Sequence, residues 1–313
     1  MNTKKKISLV VPLFNEESNV RAFFDRVASV FKGELDTYDL EIVCVNDGSR
    51  DSTLQKLLEI QDSPASVRIV DFSRNFGKEA ALTAGIDYAQ GDIVVPIDAD
   101  LQHPPETVLT MLRLWEQGWE VVLAKRTDRS TDRAVQKVTA KAFYELSRHI
   151  SNVEIPADVG DFRLMDRKVV EALKQLRENT RFMKGIFAWV GFKTTMVEYA
   201  VEPRTQGVTK FNTWKLWNFA LEGISSFSTL PLRIWMYIGA AMSGLSILYA
   251  IYLIIKTVVF GVVTPGFASL MVAILLLSGV QLIGIGVLGE YMGRVFTEVK
   301  GRPIYIVRDI FDR

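Results

Sequence analysis

The chain has 313 residues and a formal net charge of +1 at pH 7, a length that suits one large domain or two smaller ones. A charge so close to neutral gives no global positive field and argues against a nucleic-acid-binding protein. The single cysteine, Cys44, leaves no partner for an internal disulfide and suits a cytoplasmic domain. Only a strand-length apolar run follows Lys4-Lys5-Lys6, so we expect no signal peptide.

Apolar runs of strand length alternate with helical patterns through the first part of the chain. Strands are predicted at residues 7–13, 40–45, 67–72, 93–97 and 120–124. Helices are predicted at residues 16–31, 52–60, 78–89 and 105–117. Because alternating strands and helices build a layer of strands covered by helices on both faces, this pattern predicts a parallel, doubly wound α/β sheet.

The next part of the chain is less regular. Its patterns predict a helical stretch from 131 to about 150, a strand at 160–165, a helix at 166–176, a strand at 193–201 and a polar loop at 202–212. Apolar side chains then recur every three or four residues, at Trp214, Trp217, Leu221, Ile224 and Phe227. This spacing predicts a helix with one apolar face, which either lies in the plane of a membrane interface or faces a protein core.

A long apolar segment follows this helix. From residue 234 to residue 289 the only Lys, Arg, Asp or Glu is Lys256. Since a helix needs about 20 mostly apolar residues to cross a bilayer, two transmembrane helices fit here, at about 233–258 and 267–290. A buried helical hairpin in a soluble core is the alternative, but the glycines of the segment favour packed membrane helices.

Positive charges flank the two predicted spans on the same side, at Arg233, Arg294, Lys300, Arg302 and Arg308. Because cytoplasmic flanks of membrane helices are rich in Lys and Arg, we expect both termini to be cytoplasmic. The predicted organisation is a cytoplasmic domain at 1–211, an interfacial amphipathic region at 212–232, the two spans within 233–290 and a cytoplasmic C-terminal tail at 291–313.

Two carboxylates one residue apart, Asp98 and Asp100, follow the predicted strand at 93–97 and precede Pro104 and Pro105. They would therefore lie on a loop at the carboxyl end of a buried strand, where open α/β sheets bind ligands. Hard divalent cations prefer carboxylate oxygens together with substrate phosphates, so this D-x-D pair favours a metal-held nucleoside diphosphate. A solvated acidic turn is the alternative for the motif taken alone.

The ends of other strands carry polar groups that would meet in the same crevice. The first strand ends in VVPLFNEE and the second in VNDGSRDST, while Arg126 and Arg129 follow the fifth. Such groups suit a pyrimidine nucleotide and its diphosphate. Asp47 is predicted to accept a hydrogen bond from the base, or else to belong to a helix N-terminal capping box in which Asp51 or Ser52 does the capping.

Five segments make this interpretation specific: VVPLFNEESNV, VNDGSRDST, DADLQHPPE, GDFRLMDRKVVEAL and GEYMGRVFTEVKGRP. Together they resemble the inverting family 2 glycosyltransferases, and among these the polyprenyl-phosphate sugar transferases. Bacterial bactoprenol glucosyltransferases resemble the chain more than dolichyl-phosphate mannose synthases do. The resemblance implies a GT-A (Rossmann-like) α/β catalytic domain at 1–211, followed by interfacial helices and two transmembrane helices, in a multi-pass protein of the inner membrane.

The resemblance also implies a donor site for a nucleoside diphosphate sugar, most simply UDP-glucose. The residues expected to contact the donor nucleotide are Pro12, Phe14, Glu16, Asp47, Asp98 and Asp100. A cofactor ion, Mg²⁺ or Mn²⁺, would be held by Asp98, Asp100 and Gln102.

The acceptor implied by the resemblance is a polyprenyl phosphate, most simply undecaprenyl phosphate. Asp158 is expected to be the catalytic carboxylate, with Asp161 in reserve; pairing of either with Arg163 to build the loop is the alternative. Cations would hold the acceptor phosphate, although each taken alone is an ordinary surface charge. These candidates are Arg126, Arg129, Arg133 and Lys210.

The chain lacks the Q-x-x-R-W signature of processive synthases, which together with only two spans favours transfer of one sugar. Inversion would convert an α-linked donor into a β-linked lipid phosphate sugar, used to modify cell-envelope glycans such as the O-antigen of lipopolysaccharide. Further expected partners are the membrane, other copies of the chain in a homo-oligomer, and a separate flippase.

The sequence leaves the donor open among UDP-glucose, UDP-aminoarabinose, UDP-galactose, a UDP-N-acetylhexosamine and GDP-mannose, because a few hydrogen bonds decide sugar selectivity. Two other classes of function are a non-catalytic membrane subunit that binds nucleotide sugar and a lipid-linked sugar translocase. The presence of Asp98, Asp100, Asp158 and Lys210 argues against the first. The lack of charge inside the predicted spans argues against the second.

Overall fold

The computed structural model of the protein describes residues 4–60, 63–127, 159–179, 181, 183–200, 230–260 and 266–313. The strands of this part of the chain are β1 Lys5–Leu13, β2 Tyr38–Asn46, β3 Ser66–Phe72, β4 Ile93–Pro96, β5 Val121–Arg126, β6 Val159–Asp166, β7 Thr194–Tyr199 and β8 Val307–Asp312. They form one sheet in the order β7-β5-β6-β4-β1-β2-β3-β8.

The helices of the described residues are α1 Val20–Phe31, α2 Thr53–Leu58, α3 Lys78–Tyr88, α4 Glu106–Glu116, α5 Arg167–Gln175, α6 Met183–Trp189, α7 Leu230–Phe260 and α8 Phe267–Val299. The first four alternate with β1–β5 as the sequence predicts. However, α1 begins at Val20 instead of residue 16. Residues 17–19 form a turn instead, closed by the N–H of Asn19 donating to the carbonyl oxygen of Glu16 at 2.9 Å. The N–H groups of Glu16 and Glu17 donate to side chains of the segment after β2, and these bonds hold residues 17–19 outside the helix.

The parallel sheet predicted from the alternating strands is confirmed for β1–β5, and two later strands run against it. β4, β1, β2 and β3 are parallel, and β7 is parallel to β5. β6 instead runs antiparallel to β4 and β5, and β8 runs antiparallel to β3. β6 begins opposite Lys125, and β8 begins opposite Phe72, so both enter at the carboxyl edge of the parallel strands. Each therefore runs from the carboxyl edge back toward the amino edge, against its neighbours.

Each face of the sheet buries its own apolar core. Ile7, Leu9 and Val11 of β1 belong to the cluster that includes α1 and α4, and Val10 belongs to the cluster with α3. The two-residue alternation of a strand explains this division, and burial of each such side chain contributes about 1.5–3 kcal/mol. Gly85 lets α3 approach β1, since a Cβ there would lie 2.1 Å from Val10 Cγ1. This packing fixes the position of the polar strand ends above the core.

The helices α7 and α8 cover the two predicted spans, at 233–258 and 267–290. Among the described residues, one segment, Leu276–Val299 within α8, is long and apolar enough to cross a membrane, so two spans remain a prediction. The predicted tail at 291–313 is not separate from the folded domain, because α8 continues to Val299 and Val307–Asp312 completes the sheet as β8.

Three predicted elements lie outside the described residues. They are the helical stretch at 131–150, the polar loop at 202–212 and the helix with an apolar face at 214–227.

Candidate active site

A cleft of about 400 Å³ opens at the carboxyl ends of β1, β2 and β4, a volume typical of small-ligand sites. Its lining residues are Pro12, Leu13, Phe14, Glu16, Asp47, Asn75, Gly77, Lys78, Ala81, Asp98, Ala99 and Asp100. This set contains every residue predicted to contact a donor nucleotide. The structure therefore brings these side chains together in one cleft.

The first wall of the cleft consists of Pro12, Phe14, Glu16 and Asp47. Hydrogen bonds between the loops after β1 and β2 hold this wall in place. The backbone N–H of Asn15 donates to Ser49 Oγ at 3.0 Å, and the N–H of Arg50 donates to Asn15 Oδ1 at 2.8 Å. Phe14 is nevertheless 41% exposed, so an aromatic ring borders the cleft without being covered by protein.

Asp47 fixes the loop that precedes α3. Its Oδ1 accepts the N–H of Phe76 at 2.6 Å, and its Oδ2 accepts Asn75 Nδ2 at 2.8 Å and the N–H of Gly77 at 3.0 Å. Burial raises the pKa of Asp47, while the N–H groups of Phe76 and Gly77 oppose that rise. A carboxylate has about four acceptor positions, so these three donors leave room for one from a ligand.

Two neighbours of Asp47 complete this arrangement. Gly48 has a φ of +62°, and a Cβ there would lie 2.4 Å from the carbonyl carbon of Arg74, so glycine is required where the two loops meet. Asp51 Oδ1 accepts the N–H of Thr53 at 3.1 Å at the start of α2. The predicted alternative of helix capping therefore applies to Asp51, and Asp47 has a different structural role.

The D-x-D loop after β4 lies beside a lysine. Lys78 Nζ is 2.7 Å from Asp98 Oδ1 and 3.6 Å from Asp161 Oδ2. Burial would lower the pKa of Lys78, but the two carboxylates outweigh this effect and hold that pKa above its usual value. Lys78 is therefore a charged ammonium that links the D-x-D loop to β6.

The same loop turns sharply after Asp100. Asp100 Oδ1 accepts the N–H of Gln102 at 3.1 Å, and Leu101 between them has a φ of 60°, an uncommon conformation for a leucine. The described residues contain no group of three or more His, Cys, Asp or Glu side chains that could hold a metal ion. The two carboxylates still fit Mg²⁺ or Mn²⁺ in chemistry, since such ions are commonly bound by one or two carboxylates together with substrate phosphates and water.

A second group of side chains lies next to the cleft and is called the second wall here, although its members are not among the residues that line the cleft. It consists of His103, Arg126, Asp161, Phe162 and Tyr199, and Asp161 connects it to the cleft residue Lys78. The His103 ring stacks on Phe162 with centroids 4.9 Å apart and meets Tyr199 edge-on at 5.9 Å. Burial lowers the pKa of His103, so its imidazole is neutral near pH 7. His103 Nδ1, Arg126 Nε and Asp161 Oδ1 are all buried without a hydrogen-bond partner.

Arg163 lies next to this wall and does not form the alternative ion pair with Asp161. Its guanidinium donates to the carbonyl oxygen of Gly160 at 2.7 Å and lies 4.0 Å from the centroid of the Phe187 ring. Burial lowers the pKa of Arg163 to about 10. Asp161 therefore interacts with Lys78 instead.

The remaining predicted site residues cannot be compared with this geometry. Asp158, Arg129, Arg133 and Lys210 lie outside the described residues, so their roles stay predictions. Gln102 takes part through its backbone N–H, and Arg126 lies at the carboxyl end of β5.

Sequence reasoning missed Lys78 and its neighbours Asn75 and Gly77. They follow β3, whose carboxyl end lies at the same edge as those of β1, β2 and β4. The expectation that loops after parallel strands meet at the carboxyl edge of the sheet, applied to β3, would have identified these three residues. His103 stood inside the motif DADLQHPPE without an assigned role, and no signal in the sequence shows that its ring is buried against β6.

Two family models match the chain: glycosyl transferase family 2 over residues 8–174 and the GtrB C-terminal hairpin over residues 230–295. The SfII prophage-derived bactoprenol glucosyl transferase of Shigella flexneri is 53% identical over 97% of both chains. A prophage bactoprenol glucosyl transferase homolog of Escherichia coli K12 is 51% identical over 97% of this chain and 99% of its own. These matches confirm the family resemblance predicted from the sequence motifs.

The similarity to solved structures is lower, as one example shows. Glucosyl-3-phosphoglycerate synthase of Mycobacterium tuberculosis, in complex with Mn²⁺, UDP-glucose and phosphoglyceric acid, is 21% identical to this chain, with a TM-score of 0.47. The alignment covers 71% of this chain and 78% of that one.

Proposed function

Since the chain belongs to glycosyl transferase family 2, we propose that it transfers one glucose from UDP-glucose to a polyprenyl phosphate, most simply undecaprenyl phosphate. The names of the two bactoprenol glucosyl transferase relatives support both the sugar and the lipid. The observation that carries the proposal is the single cleft in which the predicted donor residues meet.

The first wall would bind the nucleoside. Pro12 and the exposed ring of Phe14 supply apolar surface for the uridine, and Asp47 keeps an acceptor position for a base N–H. Glu16 borders the same cleft. Lys78 adds positive charge beside Asp98, where it would offset the charge of the leaving diphosphate.

Asp98, Asp100 and Gln102 would hold Mg²⁺ or Mn²⁺. When bound, such an ion neutralises the charge that develops on the departing diphosphate. The turn at Leu101 orients the carboxylate of Asp100, and Lys78 holds that of Asp98.

The second wall would face the acceptor. A lipid phosphate is already anionic near neutral pH, so orientation and charge stabilisation matter more than a strong base. Arg126 would bind this phosphate, and Arg129, Arg133 and Lys210 are further candidates from the sequence. Asp158 or Asp161 would orient the acceptor for in-line attack, which inverts the configuration of an α-linked sugar.

The apolar helices would bring this cleft to the depth of a lipid head group. We place two spans at about 233–258 and 267–290 in the inner membrane, with the catalytic domain at 1–211 and both termini in the cytoplasm. The match of residues 230–295 to a hairpin family supports this arrangement. Homo-oligomerisation and a separate flippase complete the proposal.

The test is transfer of radiolabelled sugar by the purified full-length protein to undecaprenyl phosphate in detergent, with Mg²⁺ or Mn²⁺ and a panel of nucleotide sugars. Labelled lipid from UDP-glucose supports the proposal in full. Labelled lipid from a different donor keeps the reaction and changes the sugar. Absence of product with every donor, from protein that still binds UDP, would favour the alternative of a non-catalytic nucleotide-sugar-binding subunit.

A further inference from the structure

Residues 301–308 comprise the link between α8 and β8 together with the first two residues of β8, and they are called the post-helix segment here. This segment runs along the end of β3. The N–H of Ser73 donates to the carbonyl oxygen of Ile306 at 3.0 Å, and the guanidinium of Arg308 donates to the carbonyl oxygen of Ser73 at 2.9 Å. Ser73 directly precedes the loop that contains Asn75, Gly77 and Lys78. The post-helix segment is thus bonded to the start of a loop that lines the cleft.

Tyr305 connects the post-helix segment to the end of β3, which precedes this loop, and to the last turn of α3, which follows it. Its ring stacks on Phe72 with centroids 5.1 Å apart and an interplanar angle of 11°. Its hydroxyl donates to Asp87 Oδ2 at 2.8 Å, near the end of α3. Phe72 in turn meets Phe76 edge-on at 5.7 Å, and the N–H of Phe76 donates to Asp47. Two ring contacts and one backbone hydrogen bond therefore connect Tyr305 to Asp47 of the first wall.

Arg308 reaches the first wall by a second route. Its guanidinium lies 3.6 Å from Asp71 Oδ2, and Asp71 is only 2% exposed. The other carboxylate oxygen of Asp71 accepts Asn46 Nδ2 at 2.7 Å, and Asn46 precedes Asp47 in the chain. Without Arg308, the buried carboxylate of Asp71 would lose its nearby cation, which favours rearrangement of its other partner.

We propose that Tyr305 and Arg308 are positioning residues that set the affinity of the cleft for the donor nucleotide. They act through Asp47 and the loop at 75–78, and they touch neither donor nor acceptor. The inference rests on the proposed function for the identity of the donor. Because α8 ends at Val299, immediately before the post-helix segment, the same contacts tie the donor side of the cleft to the end of the apolar helix.

The matched control lies in the same pair of strands. Asp312 of β8 accepts Arg68 Nε of β3 at 2.6 Å, at the opposite end of the pairing from the cleft. If β8 only stabilised the domain, loss of this ion pair would resemble loss of the Arg308 contacts. If the post-helix segment positions the loop, only the Tyr305 and Arg308 variants will affect it.

The experiment compares Tyr305→Leu, which removes both the stacked ring and the hydroxyl, with Arg308→Gln and Asp312→Asn in the full-length protein. Amide hydrogen exchange of residues 75–78 is measured without ligand, and KM for UDP-glucose and kcat are measured in the transfer assay. For Tyr305→Leu and Arg308→Gln we expect faster exchange at 75–78 and a KM raised about three- to ten-fold, within the range of couplings carried through packed side chains. The kcat should stay within about twofold, and Asp312→Asn should match the unmodified protein.

Unchanged exchange and KM in both variants would overturn the inference, as would equal changes in all three. Tyr305→Leu and Arg308→Gln break separate routes to the first wall, so a folding failure of either variant still leaves the other to compare with Asp312→Asn. If the proposed function is wrong, the unmodified protein will transfer no sugar. Amide exchange at 75–78 would still show whether Tyr305 and Arg308 hold this loop in place.

Discussion

The first wall of the cleft and the second wall next to the cleft are built differently. None of the four members of the first wall has a buried polar side-chain atom without a partner, and Asp47 alone accepts three hydrogen bonds. The second wall contains three such atoms, on His103, Arg126 and Asp161. The first wall is thus held in place before any ligand binds, with one acceptor position of Asp47 left for the ligand, whereas the second wall still has three buried polar atoms without partners.

This difference has an energetic meaning. A buried polar atom without a partner costs about 1–3 kcal/mol, so the second wall lowers the stability of the protein, and a ligand could recover that cost. A preorganised donor side requires little rearrangement when charge develops on the diphosphate. Substitutions in the first wall and in the neighbouring D-x-D loop should therefore reduce both stability and activity. Substitutions that remove an unpaired atom of the second wall should raise stability while they lower activity.

The largest expected effect is that of Asp100→Asn in the D-x-D loop. This change removes a charge while keeping the shape, and we expect kcat to fall by at least about 100-fold, as for loss of one electrostatic contact to a transition state. The transfer assay measures it, with circular dichroism to confirm the fold. Asp39→Asn, at an exposed position of β2, is the control and should be fully active. Full activity of Asp100→Asn would show that the D-x-D loop is not part of the active site.

Lys78→Met should have the next largest effect. It leaves Asp98 and Asp161 without their shared cation, and we expect kcat/KM to fall about 10- to 100-fold. Lys32→Met, at an exposed position after α1, serves as control. Equal activity of the two variants would show that Lys78 only balances the charge of the loop.

Asp47→Asn tests whether the first wall is both structural and functional. The new amide group would face N–H donors from Phe76 or Gly77, so we expect a loss of about 1–3 kcal/mol in the free energy of unfolding. The KM for UDP-glucose should rise about tenfold, since the same loop lines the cleft. Thermal unfolding and transfer kinetics measure the two effects. A change in only the free energy of unfolding or only the KM would show that Asp47 does not have both a structural and a donor-binding role.

His103→Phe should have the smallest effect, and its two components should have opposite signs. The new ring keeps the stacking on Phe162 but removes the unpaired Nδ1, so the unfolding temperature should rise by about 2–4 °C. Activity should fall less than tenfold. Tyr199→Phe serves as a comparison within the same wall. A destabilised His103→Phe would mean that Nδ1 is satisfied in solution and that the two walls do not differ as described.

Much of the donor side could be predicted from the sequence because the carboxyl ends of parallel strands meet at one edge of the sheet. Residues after β1, β2 and β4 were placed at one edge of the sheet, and the same rule applied to β3 would have added Lys78. The reversed directions of β6 and β8 were not predictable from alternation, since that pattern does not show from which edge a strand enters. The unpaired atom on His103 depends on how β6 packs against the D-x-D loop, which is a tertiary contact with no local signal.

The most direct test of the account is the affinity of the purified protein for UDP, measured by calorimetry with and without Mn²⁺ and repeated with Asp100→Asn. The account predicts that Mn²⁺ tightens UDP binding about tenfold or more in the unmodified protein, because the D-x-D loop and the diphosphate share the ion. It also predicts that Asp100→Asn loses this gain but keeps the metal-independent binding supplied by the first wall. Equal affinities with and without Mn²⁺, in both proteins, would contradict the central claim that this cleft binds a nucleoside diphosphate through its D-x-D loop.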